Sequence, residues 1–158
     1  MCAHKEGEFV GSQANTQAPH WSLALMISGE GLDFEAIARD LALESTDTRV
    51  KGEVINRLPL IVSQEDCWLH EIELADNEGT DPKMHALLGA LERGAQMLGV
   101  LCAKHEVILR LYIRSDYAQI FYRLMPDTMT RLAGIGLPLE VSMVSWGGLT
   151  FQTGGDRS

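Results

Sequence analysis

The sequence predicts an α+β fold: a largely antiparallel sheet of about six strands with two or three helices packed on one face, in the order β-α-β-β-α-β-β-α-β. Apolar residues recur with a period of two in the strand segments and of 3.6 in the helical segments. Two connections between strands are tight, and tight connections join antiparallel neighbours, which excludes a doubly wound parallel sheet. Half-polar strands such as 140–145 indicate that part of the second sheet face meets water or another subunit.

The first strand and the first helix are predicted from alternation and capping signals. In the strand, from about His20 to Ser28, one face carries four large apolar side chains, Trp21, Leu23, Leu25 and Ile27. A glycine-containing turn ends the strand, and Asp33 is expected to cap a helix from Phe34 to about Leu43. The apolar stripe of this helix is expected to face the sheet.

The middle of the chain is predicted to hold two strands and the longest helix. Arg49 to Ile55 has the pattern of a weak strand, and Cys67 to Leu74 that of a stronger one. Pro82 suits a first helical turn, so the main core helix is expected to run from about Lys83 to Lys104.

The last third is predicted to hold a hairpin, a helix and a strand. Val107 to Ile113 and Ala118 to Arg123 are separated by turn-forming residues, which favours a hairpin. A third helix, about Asp127 to Ile135, is expected to end at Gly136, before a final strand from Leu137 to Ser145.

Composition predicts one domain, residues 20–152, between a flexible N-terminal arm, 1–19, and a flexible C-terminal tail, 153–158. The length of 158 residues is close to the commonest size of a single domain. A hydrophobic content of 46% with 22% charged residues is typical of a globular protein, so a packed core is expected without a disulfide or metal.

Net charge and the lack of long apolar segments exclude two classes of partner, nucleic acids and membranes. The net charge of -9 would repel a phosphate backbone, so no nucleic acid is expected. No apolar stretch is long enough to cross a bilayer and the start of the chain lacks the apolar block of a signal peptide, which predicts a cytoplasmic protein with no membrane partner. The three cysteines are widely spaced, and reduced thiols are expected.

Two Cys-x-x-His pairs, Cys67 with His70 and Cys102 with His105, have residue types that bind zinc. Positions three apart on a strand point to opposite faces, so Cys67 and His70 are not expected to converge. Buried cysteines and a histidine at a helix end are the preferred interpretation, and no metal is predicted.

Three other patterns suggest binding or catalysis, but structural roles explain them better. The turn Gly29 to Gly31 lacks the third glycine of a phosphate-binding loop and carries acidic neighbours. The acidic segment 76–81 does not match a calcium loop. Glu71 and Glu73 form a carboxylate pair on one strand face, where solvated carboxylates are common. No catalytic residue and no cofactor are predicted.

The segment Leu23 to Leu43, LALMISGEGLDFEAIARDLAL, resembles the opening of a bacterial family known as domain of unknown function 4279. The likeness continues through the segments that follow, over roughly Trp21 to Trp146, and includes Arg49, Lys51, Gly52 and Trp68. The resemblance implies a bacterial protein and brings no established activity, cofactor or catalytic residue.

Three hypotheses about function follow. The first is a non-catalytic protein-interaction module, of the kind that binds another protein through an open sheet face or an edge strand, including an immunity-type partner that neutralises a toxin. The acidic balance suits a basic partner. The second is a small-ligand-binding protein or metal-dependent enzyme with a pocket between helix and sheet, lined by Arg49, Lys51, Trp68 and His70. The third, compatible with both, is a homodimer formed through an exposed sheet edge.

Overall fold

The computed structural model of the chain describes residues 19–75, 77–115 and 120–145. These ranges form a main five-stranded sheet, a separate two-stranded sheet and four helices. The elements follow one another as β1 His20–Gly29, α1 Phe34–Leu41, β2 Asp47–Arg49, β3 Val54–Arg57, β4 Leu60–Val62, β5 Asp66–Leu74, α2 Pro82–Arg93, α3 Ala95–Cys102, β6 Glu106–Ser115, α4 Pro126–Ile135 and β7 Leu139–Ser145.

The main sheet has the strand order β2-β5-β1-β6-β7. Strand β1 is central and runs antiparallel to both neighbours, β5 and β6, and β2 is antiparallel to β5. Strand β7 runs parallel to β6. The α+β class is therefore confirmed, but the sheet is mixed, and the predicted element order and counts match only in part.

One face of the main sheet and the helices enclose the core. The alternating residues predicted for β1 point to this side, where Leu25 and Ile27 are fully buried. They pack with apolar residues of the helices, including Ile37, Leu41, Leu88, Leu91 and Leu98. No helix within the described ranges is long and apolar enough to cross a membrane.

The helix starts follow local rules. The carboxylate of Asp33 accepts a hydrogen bond from the Ala36 N–H at 2.9 Å and caps α1, as predicted. Asp81 caps α2 by accepting from the Lys83 N–H at 2.7 Å, and it also accepts from the Ala75 N–H at 2.6 Å. The bond from Ala75 is the main cause that holds the pKa of the buried Asp81 carboxyl below its ordinary value.

The single long helix expected from Lys83 to Lys104 is wrong, because α2 and α3 are separated at Gly94. A Cβ at Gly94 would lie 2.9 Å from Cδ2 of Leu41 in α1. The missing side chain of Gly94 leaves room for Leu41 at the point where α2 ends and α3 begins.

The predicted hairpin of Val107–Ile113 with Ala118–Arg123 is wrong for the described part of its second strand. Strand β6 continues to Ser115, and residues 120–125 form no strand. Ile120 and Tyr122 nevertheless pack on the core while Phe121 is exposed, so the alternation is real although the backbone joins no ladder. Helix α4 instead carries the chain back to place β7 parallel to β6.

The weak strand predicted at Arg49–Ile55 is two separate strands. Strand β2 ends at Arg49, and β3 begins at Val54 after a turn in which Gly52 has a φ of 88°. Strand β3 pairs antiparallel with β4 to form a hairpin in a region whose sequence gives no clear period. The remaining predicted strand, Cys67–Leu74, is present as β5 with one further residue at its start.

Candidate functional site

The main sheet has a second face, which we call the open face. On β1 it carries Ser22, Ala24, Met26 and Ser28, which alternate with the core residues. The register places Ala24 beside Glu71 of β5 and Arg110 of β6, and Met26 beside Leu69 and Ile108. Ala24, Met26, Leu69 and Ile108 form a small buried cluster that contains strand residues alone.

A cavity of about 80 Å³ lies on the open face. Its apolar part is formed by Ala24, Met26, Cys67 and Leu69, and its polar part by Asp47, Arg49, Glu71, Arg110, Tyr112 and Ser142. Cavities that hold drug-sized ligands measure roughly 300–1,000 Å³. The cavity therefore has room only for a very small ligand or a few waters.

The charged groups around the cavity bind one another. Nη2 of Arg49 lies 2.7 Å from Oδ2 of Asp47. Arg110 donates to Oε2 of Glu140 from both Nε, at 3.1 Å, and Nη2, at 2.7 Å. The Ser22 hydroxyl donates to Glu71. An anionic ligand would have to compete with these carboxylates for the two guanidinium groups.

The four residues predicted to line a pocket between helix and sheet lie in different places. Arg49 lines the open-face cavity. Trp68 lies on the helix side and is fully buried, and His70 follows on the same side with its ring stacked on that of Trp68 at 6.4 Å. Lys51 is exposed and pairs with Glu30. The structure does not bring these four together, and ligand binding by them stays a prediction.

The cysteine and histidine of the first Cys-x-x-His pair also lie on opposite sides of the sheet. Cys67 faces the cavity while His70 faces the helices, where its Nδ1 lies 2.6 Å from the carbonyl oxygen of Glu44. Cys67 is buried, as expected, whereas Cys102 is free and exposed, so the expectation of a buried side chain is wrong at Cys102. Within the described ranges no group of three or more His, Cys, Asp and Glu residues is arranged to hold a metal ion.

Sequence reasoning missed the role of Asp66 at the start of β5. One carboxylate oxygen accepts from the N–H groups of Gly31 and Leu32, at 2.9 and 3.2 Å, and the other from the Lys51 N–H at 2.9 Å. These bonds, the one from Lys51 first, lower the pKa of Asp66. Asp66 thus joins the turn after β1 to the turn after β2, a link between distant segments that no local pattern reveals.

The β3–β4 hairpin carries four exposed apolar side chains, including the two most exposed large ones of the described structure, Leu58 and Leu60. Leu58 is 89% exposed, Leu60 71%, Val54 49% and Ile61 41%, and we call these four residues the hairpin surface. Strands β3 and β4 pair with each other and with no other strand of the described ranges. At the base of the hairpin, bonds of 2.8 Å from Gly52 N to Ser63 O and from Ser63 N to Glu53 O continue the pairing.

The sequence of the hairpin is conspicuously apolar, but it shows no regular period from which an exposed surface could be predicted. Residues 58–62 read LPLIV, an apolar run around a proline, and such a run is more typical of a buried strand than of an exposed turn. The exposure agrees with the absence of any further strand paired with the hairpin within the described structure.

Comparison with known proteins identifies one family. The family model described as Domain of unknown function (DUF4279) matches residues 18–146, a span that contains every strand and helix described above. This match confirms the resemblance found in the sequence. No curated protein and no solved structure matches the chain.

Proposed function

The chain belongs to the family described as Domain of unknown function (DUF4279), and for this member we propose a role as a non-catalytic protein-interaction module. We infer that the hairpin surface is its contact site. One observation supports this most: four large apolar side chains are exposed on the turn and the two faces of a hairpin that pairs only with itself among the described strands. Several large apolar side chains exposed on one small element mark interaction sites on soluble proteins.

A partner that covers the hairpin surface would gain binding free energy from burying its leucines. Fully burying one leucine side chain contributes about 1.5–3 kcal/mol, and Leu58 and Leu60 keep most of their surface in water. A two-stranded hairpin is also marginally stable in water by itself. A partner that encloses the hairpin surface would stabilise the hairpin and remove both leucines from water in the same step.

The negative net charge of the chain favours a basic partner. A net charge of -9 attracts a basic protein and accelerates its association. The proposed partner is therefore a protein with a basic surface around an apolar cleft that receives the hairpin. A basic toxin domain, neutralised in the manner of an immunity protein, is one partner with this chemistry.

The alternative, a small-ligand-binding protein or enzyme, has less support. The cavity lies on the open face and not between helix and sheet, it measures about 80 Å³, and its arginines are bonded to carboxylates. Native mass spectrometry of the purified chain discriminates the two functions. A small molecule or metal retained at unit stoichiometry would favour the alternative.

The test of the proposed function is capture by immobilised chain from a cell extract, with a double variant at the hairpin surface, Leu58→Ser with Leu60→Ser. The matched control is Val100→Ser, which removes an apolar side chain that is 49% exposed on α3, away from the hairpin. We expect recovery of the partner to fall at least roughly tenfold with the double variant, because two leucines no longer become buried. The control is expected to capture as the wild type does. Equal recovery with all three chains would overturn the proposed contact site.

A further inference from the structure

The two edges of the main sheet differ in how well they are protected against pairing with another strand. Strand β2, at one edge, has three residues, and two of them, Asp47 and Arg49, carry charges that bind each other. Short strands and charged side chains are two of the devices by which proteins keep sheet edges from pairing. This edge offers little to another chain.

Strand β7, at the other edge, is less well protected. It is seven residues long, its sequence LEVSMVS contains no proline, and its register with β6 runs from Leu139 to Ser145 without a bulge. Its single charged residue, Glu140, is bound to Arg110 of the neighbouring strand. Its outer side pairs with no other strand of the described ranges.

Two exposed side chains of β7, Val141 and Met143, are apolar. Val141 and Met143 lie opposite the buried Leu111 and Ile113 of β6, so they point to the helix side of the sheet. They are nevertheless 53% and 62% exposed, while Leu139 on the same side packs against the core. The helices therefore cover the start of β7 and leave the rest of its apolar side uncovered.

We propose that β7 pairs antiparallel with β7 of a second copy of this chain, which joins two five-stranded sheets into one continuous sheet. A two-fold axis at Ser142 places Val141 of each copy directly opposite Met143 of the other, so that four apolar side chains meet. The same axis places Glu140 opposite Val144, and because Glu140 is bound to Arg110 no unpaired charge faces the junction. The strand can thus pair with itself so that apolar side chains face each other and its one charged residue keeps its partner within its own chain.

The proposed dimer uses a different surface from the hairpin and does not depend on the proposed function. It also has a characteristic salt dependence. Each copy carries a net charge of -9, so the two copies repel each other at long range. Added salt screens that repulsion and strengthens apolar contact, so dimerisation is expected to tighten as ionic strength rises.

The experiment measures the mass of the full chain in solution by light scattering and sedimentation at several concentrations. We expect twice the 17.4 kDa of one chain at micromolar concentration. Val141→Lys is expected to weaken the dimer roughly 100-fold, because two ammonium groups enter an apolar junction. Val100→Lys, at a similarly exposed position on α3, is the matched control and is expected to remain dimeric.

A second variant, Met143→Lys, tests the same strand at its other exposed apolar position, and far-UV circular dichroism of each variant verifies its folding. A folded monomer from both β7 variants beside a dimeric control supports the proposal. A wild-type chain that stays monomeric at all salt concentrations overturns it. A dimer that survives both β7 variants places the contact elsewhere and overturns it equally.

Discussion

Strand β1 and the β3–β4 hairpin have similarly apolar sequences but opposite environments. Leu25 in β1 is completely buried, whereas Leu60 in β4 is 71% exposed. The difference lies in their neighbours: β1 has a strand on each side and helices over one face, and the hairpin strands have only each other among the described strands. Residue type alone therefore does not decide burial. The stability of the domain is expected to reside around β1, and recognition at the hairpin.

The largest effect is expected at the centre of the sheet. Leu25→Ala removes a fully buried side chain between β5 and β6 and leaves a cavity, so the free energy of unfolding should fall by about 2–5 kcal/mol. Urea unfolding followed by circular dichroism measures it. A loss under about 1 kcal/mol would mean that β1 is not the centre of the packed core.

The next largest effect is expected at Asp66, which links the sheet to the segment that leads into the hairpin. Asp66→Ala leaves the N–H groups of Gly31, Leu32 and Lys51 without their carboxylate, at a cost of about 2 kcal/mol in unfolding free energy. Asp66→Asn keeps one acceptor oxygen and should lose less. An alanine variant as stable as wild type would show that the carboxylate does not hold these turns together.

A smaller effect is expected from acid, through Asp66 and Asp81, whose pKa values lie below the ordinary aspartate value in the folded chain. Both groups must bind protons more readily after unfolding, so their contribution to stability is complete above about pH 4, the ordinary pKa of aspartate, and is lost as pH falls through the lower folded values. Urea unfolding from neutral to acid pH measures this loss. In the Asp66→Asn/Asp81→Asn double variant, the unfolding free energy should fall less steeply as the pH decreases. An unchanged pH dependence would mean that other carboxylates cause the loss of stability in acid.

The smallest effect is expected in the hairpin. Leu60→Ala removes a side chain that is mostly in water, so the free energy of unfolding should change by no more than about 0.5 kcal/mol. The same urea unfolding used for Leu25→Ala provides the comparison. A loss as large as that of Leu25→Ala would show that the hairpin leucine is packed in the core and is not available to a partner.

Local features of the fold were predictable from sequence and long-range ones were not. The cap at Asp33, the proline start of α2 and the end of α4 at Gly136 depend on residues next to one another, and all three are present. The break at Gly94 lies beside Leu41 of a distant helix, and the parallel position of β7 depends on where α4 returns the chain. Neither is visible as a period in the sequence.

The candidate site was less predictable than the fold. Alternation along β5 separates Cys67 on one side of the sheet from Trp68 and His70 on the other, but only the observed register brings Arg49 of β2 beside Cys67 at the cavity. The hairpin surface was missed because an apolar run predicts burial and the sequence does not reveal that no neighbour covers it. A single sequence supplies the amphipathic segments but not the identity of what packs on them.

The most direct test of the division between a stable sheet and a recognising hairpin is hydrogen exchange of the free chain and of its complex with the captured partner. We expect amides of β1 to exchange slowly in both states, because this central strand is hydrogen-bonded to β5 on one side and to β6 on the other. Amides of residues 54–62 should exchange quickly in the free chain and slowly in the complex. Protection that appears on the open face while residues 54–62 remain unprotected would contradict the assignment of the hairpin as the contact site.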